Sequence, residues 1–170
     1  NGIIVGREVQ SARISGNSIH ENQTLGIDLV TSGSIYGVTP NDPLDQDEGG
    51  NGLQNFPEIQ SATSDGSSVR AVGTFQSEAS AQYRIEFFAS PSCHPSGFGE
   101  GQVYLGAAMV TTDGAGNAAF DVELGGTIDV GWVLTSTATR ESVGATSEFS
   151  ACRIIDSAAL SGAESASIQP

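Results

Sequence analysis

The 170-residue chain is long enough for one domain and part of a second. Its formal net charge of −14, with only six basic side chains, excludes a nucleic-acid partner, because phosphate binding needs clustered lysine and arginine. The same charge disfavours an anionic membrane surface, and no apolar run approaches the roughly 20 residues that cross a bilayer, so we predict no membrane insertion. Twenty-two glycines favour an all-β fold of short strands and tight turns.

The first thirty residues contain an internal repeat. The run Gly2-Ile3-Ile4-Val5 returns 24 residues later as Gly26-Ile27-Asp28-Leu29. Apolar residues at alternate positions, bounded by Gly and Asn turns, indicate brief strands with one face inward. A repeat of about this length is the period of a solenoid, in which each coil buries its apolar face by stacking on the next. The repeat therefore predicts parallel stacking.

A longer series of motifs resembles a known family. Gly16-Asn17-Ser18-Ile19-His20-Glu21-Asn22, followed by Leu25-Gly26-Ile27-Asp28-Leu29, is similar to the repeat of bacterial right-handed parallel β-helix proteins. Five later runs resemble the tail that follows the β-helix in large secreted or surface proteins of this kind: Thr39-Pro40-Asn41-Asp42-Pro43, Asn51-Gly52-Leu53-Gln54-Asn55-Phe56-Pro57, Arg84-Ile85-Glu86-Phe87-Phe88-Ala89-Ser90, Gly97-Phe98-Gly99-Glu100-Gly101-Gln102 and Thr146-Ser147-Glu148-Phe149-Ser150.

The resemblance covers about residues 1–155 and implies a division of the chain. Residues 1–38 would form the terminal coils of a right-handed parallel β-helix. Residues 39–57, the acidic segment, would form a junction loop, and residues 58–155 an immunoglobulin-like antiparallel β-sandwich. The small and polar residues 156–170 are expected to be a linker or tail. The protein would be secreted or exposed on a cell surface.

The acidic segment carries the clearest chemical signal. Asp42, Asp45, Asp47 and Asn51 are spaced through a loop rich in glycine, and Ca²⁺ takes six to eight hard oxygen ligands from such loops. The segment holds four acidic side chains, because Glu48 follows the three aspartates, and they would repel one another without a cation. The sequence is not an EF-hand, because the flanking helices and the glutamate at the twelfth loop position are missing. We predict a calcium site, the alternative being a solvated acidic turn.

Residues 58–155 show seven candidate strands with turn signals between them. In the third, Tyr83, Ile85 and Phe87 alternate with Arg84 and Glu86, which predicts one core face and one solvated face. Phe120 and Trp132 are interpreted as core residues. The spacing is typical of an immunoglobulin-like domain. The predicted strands span residues 58–62, 69–75, 82–89, 102–111, 118–124, 131–139 and 147–155.

Cys93 and Cys152 are the only cysteines. An even pair in a glycine-rich, surface-type chain favours a disulfide, which would join the loop after the third predicted strand to the last strand. A catalytic thiol or a metal site, with Cys93-His94 as neighbours, is the competing interpretation. The Pro-Ser-Gly turn that follows Cys93 in the family-like context supports the disulfide.

The first coil is expected to present an open apolar end around Ile3, Val5 and Ile14. Exposed strand edges recruit partners. Upstream β-helix coils or a second copy of the chain are therefore the predicted partners at this end. A surface polysaccharide or another protein is a further candidate.

The sequence predicts no catalytic residues. His20, Glu21 and Asp28 are the ionisable groups available on the coils, and no basic residue accompanies them in the pattern of a polysaccharide lyase. A Gly-x-Ser-x-Gly nucleophile elbow is absent. We therefore expect a non-catalytic structural or adhesive module. The alternative is a carbohydrate-binding or accessory module of a polysaccharide-active β-helix enzyme, which would show exposed aromatic side chains.

Overall fold

The computed structural model describes residues 2–31, 33 and 35–158. Within these residues the chain is built from ten strands and one short 3₁₀ helix, Gly50–Leu53. The predicted all-β class is confirmed. Most of the predicted linker or tail lies outside the described residues. The strands are β1 Ile3–Val5, β2 Ile27–Leu29, β3 Glu58–Ser64, β4 Ser68–Gln76, β5 Gln82–Ser90, β6 Val103–Thr111, β7 Asn117–Gly125, β8 Val133–Arg140, β9 Ala145–Thr146 and β10 Arg153–Ser157.

Strands β1 and β2 form a parallel pair in the register of the sequence repeat. Ile3 lies opposite Ile27, and Val5 lies opposite Leu29. The backbones approach closely beside the pair, since a Cβ atom on Gly2 would lie 2.0 Å from the carbonyl oxygen of Gly26. Glycine at this position is therefore required by the stacking of the two strands.

The other strands form the main sheet, in the order β6-β5-β8-β10-β3-β4-β7, with β9 beside β8. Strand β10 links two antiparallel parts: Arg153 and Ile154 pair antiparallel with β8, and Ile155–Ser157 pair parallel with β3. The edge strands β6 and β7 contact each other. The sheet is consequently barrel-like and nearly closed around its core.

The core of the main sheet comes from the residues that alternate inward along its strands. Tyr83, Ile85 and Phe87 of β5 are fully buried, as the alternation predicts. Phe75 packs edge-on against Tyr83, and Phe120 against Phe87, with ring centroids 4.8 and 5.4 Å apart. Phe120 is confirmed as a core residue, and the half-buried Trp132 packs against the same cluster.

The second face of β5 is not solvated, and this part of the prediction is wrong. Glu86 and Phe88 are only 1% and 3% exposed. Residues 2–30, named here the N-terminal segment, cover them: the hydroxyl of Ser15 donates to Glu86, and Phe88 packs in one cluster with Ile14 and Ile19. The alternation of apolar and polar residues in β5 cannot predict that the N-terminal segment covers its second face, because the covering residues lie some 70 positions away in the sequence.

The predicted last strand is interrupted. Instead of one strand over residues 147–155, the chain forms β9 and β10, and the residues between them stay beside β8 with irregular pairing. The N–H groups of Ser147 and Ser150 donate to carbonyl oxygens of β8, while the return bonds from β8 go to their hydroxyls. Phe149 is buried in this irregular stretch and packs edge-on against Phe88 at 5.4 Å between ring centroids. The interruption of the predicted strand thus places the ring of Phe149 in the cluster that packs with the N-terminal segment.

The expected open apolar end is also wrong for two of its three residues. Val5 and Ile14 are 3% and 8% exposed, and Ile3 is half-buried. They pack with Leu53 of the 3₁₀ helix and with Phe149. The chain itself therefore covers the apolar side chains of its first coil.

Candidate cation site in the acidic segment

Three of the four predicted calcium ligands lie together. Asp42, Asp45 and Asp47 each place a carboxylate oxygen within 4.8 Å of the others. A tight turn brings them together, because Leu44 and Asp45 have left-handed φ values of 63° and 56° and the N–H of Gln46 donates to the Asp42 carboxylate at 3.0 Å. The arrangement offers hard oxygen ligands of the kind that Ca²⁺ prefers.

Asp45 is held by residues from two other parts of the chain. Its Oδ1 accepts from the N–H of Asn55 at 2.9 Å, and its Oδ2 accepts from the hydroxyl of Ser77 at 2.6 Å. Burial raises the pKa of Asp45 to about 6, even though these two hydrogen bonds act to lower it. Each oxygen retains a further lone pair with which it can bind a cation.

Asp47 has an unsatisfied oxygen. Its Oδ1 is buried and has no hydrogen-bond partner among the described residues. Burial, followed by the negative charge of Asp42, raises the pKa of Asp47 to about 6. A buried oxygen without a partner costs free energy. A cation bound between the carboxylates would satisfy this oxygen and relieve their repulsion.

The side chain of Asn51 is engaged elsewhere. Its Oδ1 accepts from the N–H of Ala12 at 2.7 Å, and its Nδ2 donates to the carbonyl oxygens of Ala12 and Thr146, both at 2.8 Å. Asn51 does line the same cleft as Asp45 and Asp47, which has a volume of about 270 Å³. The amide of Asn51 instead joins the N-terminal segment to β9. The position of Asn51 in an acidic loop did not predict this role.

Asn55 and Ser77 are the residues of this site that sequence reasoning missed. Asn55 also accepts from the N–H of Asp42 at 3.1 Å and donates to the Asp42 carbonyl oxygen at 2.8 Å. The hydroxyl of Ser77 lies 2.8 Å from that of Tyr83, so it connects the acidic segment to the core of the main sheet. Ser77 is 32 positions from Asp45, and no local pattern marks it as a partner.

The predicted disulfide is confirmed. Cys93 and Cys152 are bonded, with Cα atoms 5.9 Å apart. The bond joins the loop after β5 to the residue before β10, as the sequence predicted. It indicates an oxidising, extracellular-type environment.

The ionisable groups of the coils have individual positions. Asp28 is buried and accepts from the N–H of Gly37 at 3.2 Å. His20 lies 3.8 Å from the carboxylate of the exposed Glu21, in a shallow cleft that His94 also lines. Within the described part of the chain, Asp42, Asp45 and Asp47 are the group of His, Cys, Asp or Glu side chains whose ligand atoms converge.

Comparisons with models of protein families and with curated proteins each found no match. Over the residues that the structure describes, no helix has the length and apolarity to span a bilayer.

Proposed function

We propose that the chain is a non-catalytic structural or adhesive module of a secreted or cell-surface protein. The observation that carries the proposal is the continuous packing of the N-terminal segment on the main sheet, with Val5, Ile14, Phe88 and Phe149 in one buried cluster. A disulfide joins the loop after β5 to the residue before β10. A unit joined in this way resists deformation, as a load-bearing or surface-presenting module must.

A more detailed architecture belongs to this proposal: residues 1–38 as terminal coils of a right-handed parallel β-helix and residues 58–155 as an immunoglobulin-like sandwich. The parallel register of β1 and β2, 24 residues apart, supports the first part. Strand order supports the second. Strands β3, β4 and β7 occupy the places of the A, B and E strands, β5, β8 and β10 those of C, F and G, and β6 extends the second sheet as a C′ strand does.

We also propose that Ca²⁺ binds in the junction, residues 39–57. The converging carboxylates of Asp42, Asp45 and Asp47 and the unpartnered Oδ1 of Asp47 support this site. Backbone carbonyls and water would complete the coordination. Through Asp45, the ion would stabilise the connection to Asn55 and Ser77.

The outer edge of β1 is the proposed contact for upstream coils or a second copy of the chain. Because backbone groups alternate along a strand, the N–H and C=O of Ile4 point away from β2. The side chain of Ile4 is 45% exposed. A parallel strand added here would continue the stack.

The alternative function, binding of carbohydrate, has less support. Sugar-binding faces present aromatic side chains, and the exposed tyrosines Tyr36 and Tyr104 lie in a loop and on β6, with no described contact between them. A glycan array with the intact chain tests this alternative separately.

Force spectroscopy on the intact, oxidised chain tests the structural proposal. We expect one discrete unfolding event in which the N-terminal segment and the main sheet yield together. Reduction of the disulfide should add about 20 nm to the extension, because 59 positions separate the two cysteines and each residue spans at most about 3.3–3.6 Å. Gradual extension without a discrete event would overturn the proposal.

A further inference from the structure

Several backbone N–H groups of the N-terminal segment donate hydrogen bonds to side chains. In a β-strand, such groups would donate to the backbone of a neighbouring strand. Five of its N–H groups donate to side-chain oxygens from the rest of the chain. We name the residues that supply these oxygens the acceptor set: Asn51, Glu86, Glu100, Thr146 and Glu148. The bonds are Ala12 to Asn51 Oδ1 at 2.7 Å, Ile14 to Thr146 Oγ1 at 2.9 Å, Gly16 to Glu86 Oε2 at 3.0 Å, Asn22 to Glu100 Oε1 at 2.9 Å and Leu29 to Glu148 Oε1 at 2.9 Å.

The spacing of the first three donors is that of a strand edge. Ala12, Ile14 and Gly16 are alternate residues, and in an extended chain alternate N–H groups point the same way. In a parallel sheet such groups would donate to the carbonyl oxygens of the next strand. Here an amide, a hydroxyl and a carboxylate take that place, one for each donor.

Backbone pairing occurs between these side-chain bonds. Ile19 and Gly101 exchange two hydrogen bonds, of 2.8 and 2.7 Å. A Cβ atom on Gly101 would lie 2.7 Å from the ring of Phe88, so the backbone is held directly over β5. The N-terminal segment therefore meets the main sheet in one fixed register.

The acceptor set is mostly buried. Glu86 and Glu148 are 1% and 2% exposed, and a buried carboxylate is costly unless hydrogen bonds satisfy it. Both are satisfied: Glu86 also accepts from Ser15 and Arg84, and Glu148 also accepts from the N–H of Thr39 at 2.9 Å. These bonds occupy both oxygens of each carboxylate.

We infer that the acceptor set is an end cap that terminates the parallel stack on this side and recognises one partner, the backbone edge of residues 12–29, of which Ile27–Leu29 form β2. Side chains from the 3₁₀ helix, from β5 and β9, and from two loops replace the carbonyl row of a further coil. A further coil cannot pair on this side, because the N–H groups that it would have to bond already donate to the acceptor set. The inference rests on the proposed structural role and assigns that role to particular residues.

Two consequences follow for assembly. An exposed strand edge invites aggregation, and a cap of fixed side-chain acceptors removes one edge without offering another. Among the described residues, the edge of the stack that remains without a backbone partner is that of β1, on the opposite side from β2. Growth of the stack is thus restricted to one direction.

Amide hydrogen exchange, measured by NMR on the intact oxidised chain, tests the cap. The variants Glu86→Met and Glu148→Met keep the length of the side chain and remove both acceptor oxygens. We expect the amides of Gly16 and Leu29, respectively, to exchange at least tenfold faster. The matched control Glu58→Met, on an exposed residue of β3, should change these rates less than twofold.

Thr146 supplies a second test that changes no charge. Thr146→Val removes the hydroxyl that accepts from Ile14 and should accelerate exchange at Ile14, whereas Thr146→Ser retains the hydroxyl and should not. Unchanged exchange at Gly16, Leu29 and Ile14 would overturn the inference. So would an equal acceleration in β4 and β5, because that would reflect general destabilisation. Neither result depends on the mechanical response that tests the structural role.

Discussion

The hydroxyl of Ser77 donates a 2.6 Å hydrogen bond to Oδ2 of Asp45, and this bond joins the acidic segment to the end of β4. Ser77 is fully buried and also lies 2.8 Å from the hydroxyl of Tyr83, a core residue. Any ligand that fixes Asp45 is consequently coupled to the packing of the main sheet. The stability of the whole chain should therefore report on the occupancy of the acidic segment.

We predict that Ca²⁺ raises the melting temperature. A ligand that binds the folded state alone stabilises it by about 2.7 kcal/mol at a free concentration 100 times its dissociation constant. Asp47→Asn should abolish most of the shift, because it removes one of the three converging negative charges without touching the Ser77 anchor. Differential scanning calorimetry with Ca²⁺ and with EDTA measures the effect. The control Asp129→Asn, on an exposed residue, should keep the full shift, and identical melts in both buffers would refute the site.

Loss of the disulfide should destabilise the chain by about 4 kcal/mol. That figure follows from the loop-closure entropy of the 59-position separation between Cys93 and Cys152. The double variant Cys93→Ser/Cys152→Ser should melt about 10 °C lower than the oxidised parent, since about 1 kcal/mol shifts a protein of this size by roughly 2–4 °C. Reduction of the parent should produce the same shift, and a change below one degree would contradict the prediction.

Stability should fall as the pH rises from about 5 to 7. Burial raises the pKa of Glu148 from 4.5 to about 7, so the folded state binds a proton that the unfolded chain has released. The free energy of unfolding decreases with pH wherever the folded state binds more protons. Asp45 and Asp47, with pKa values of about 6, act in the same direction.

Urea titrations from pH 4.5 to 8 without divalent cations measure this slope. Glu148→Gln should flatten it between pH 5 and 7, whereas Glu58→Gln, on the exposed face of β3, should leave it unchanged. An equal slope in the Glu148→Gln variant and the parent would show that this carboxyl has the same pKa in both states.

Gly50→Ala should destabilise the chain by about 1–3 kcal/mol, as expected for overpacking. A Cβ atom at Gly50 would lie 2.3 Å from the carbonyl oxygen of Val5, so the 3₁₀ helix could no longer lie against the end of β1. Chemical denaturation gives the change in free energy. Gly6→Ala is the matched control: its Cβ would meet nothing within 4 Å, and its stability should match or slightly exceed that of the parent.

The sequence by itself determined the local elements and the covalent link. Alternation and turn residues placed six of the seven predicted strands to within about two residues at each end. This is possible because apolar and polar residues alternate along a strand that has one buried face. The 24-residue repeat predicted the register of β1 and β2, and two cysteines allow one pairing. The aspartates of the acidic segment are close in sequence, so their convergence needed only a turn.

Tertiary structure alone decided how the N-terminal segment meets the main sheet. The local pattern assigned Glu86 to a solvated face and Asn51 to a set of cation ligands, because such a pattern describes only neighbours in sequence. Their actual partners, Gly16 and Ala12, lie 70 and 39 positions away. A buried polar residue is placed by the hydrogen bond it satisfies, and that bond exists only once distant segments have been brought together.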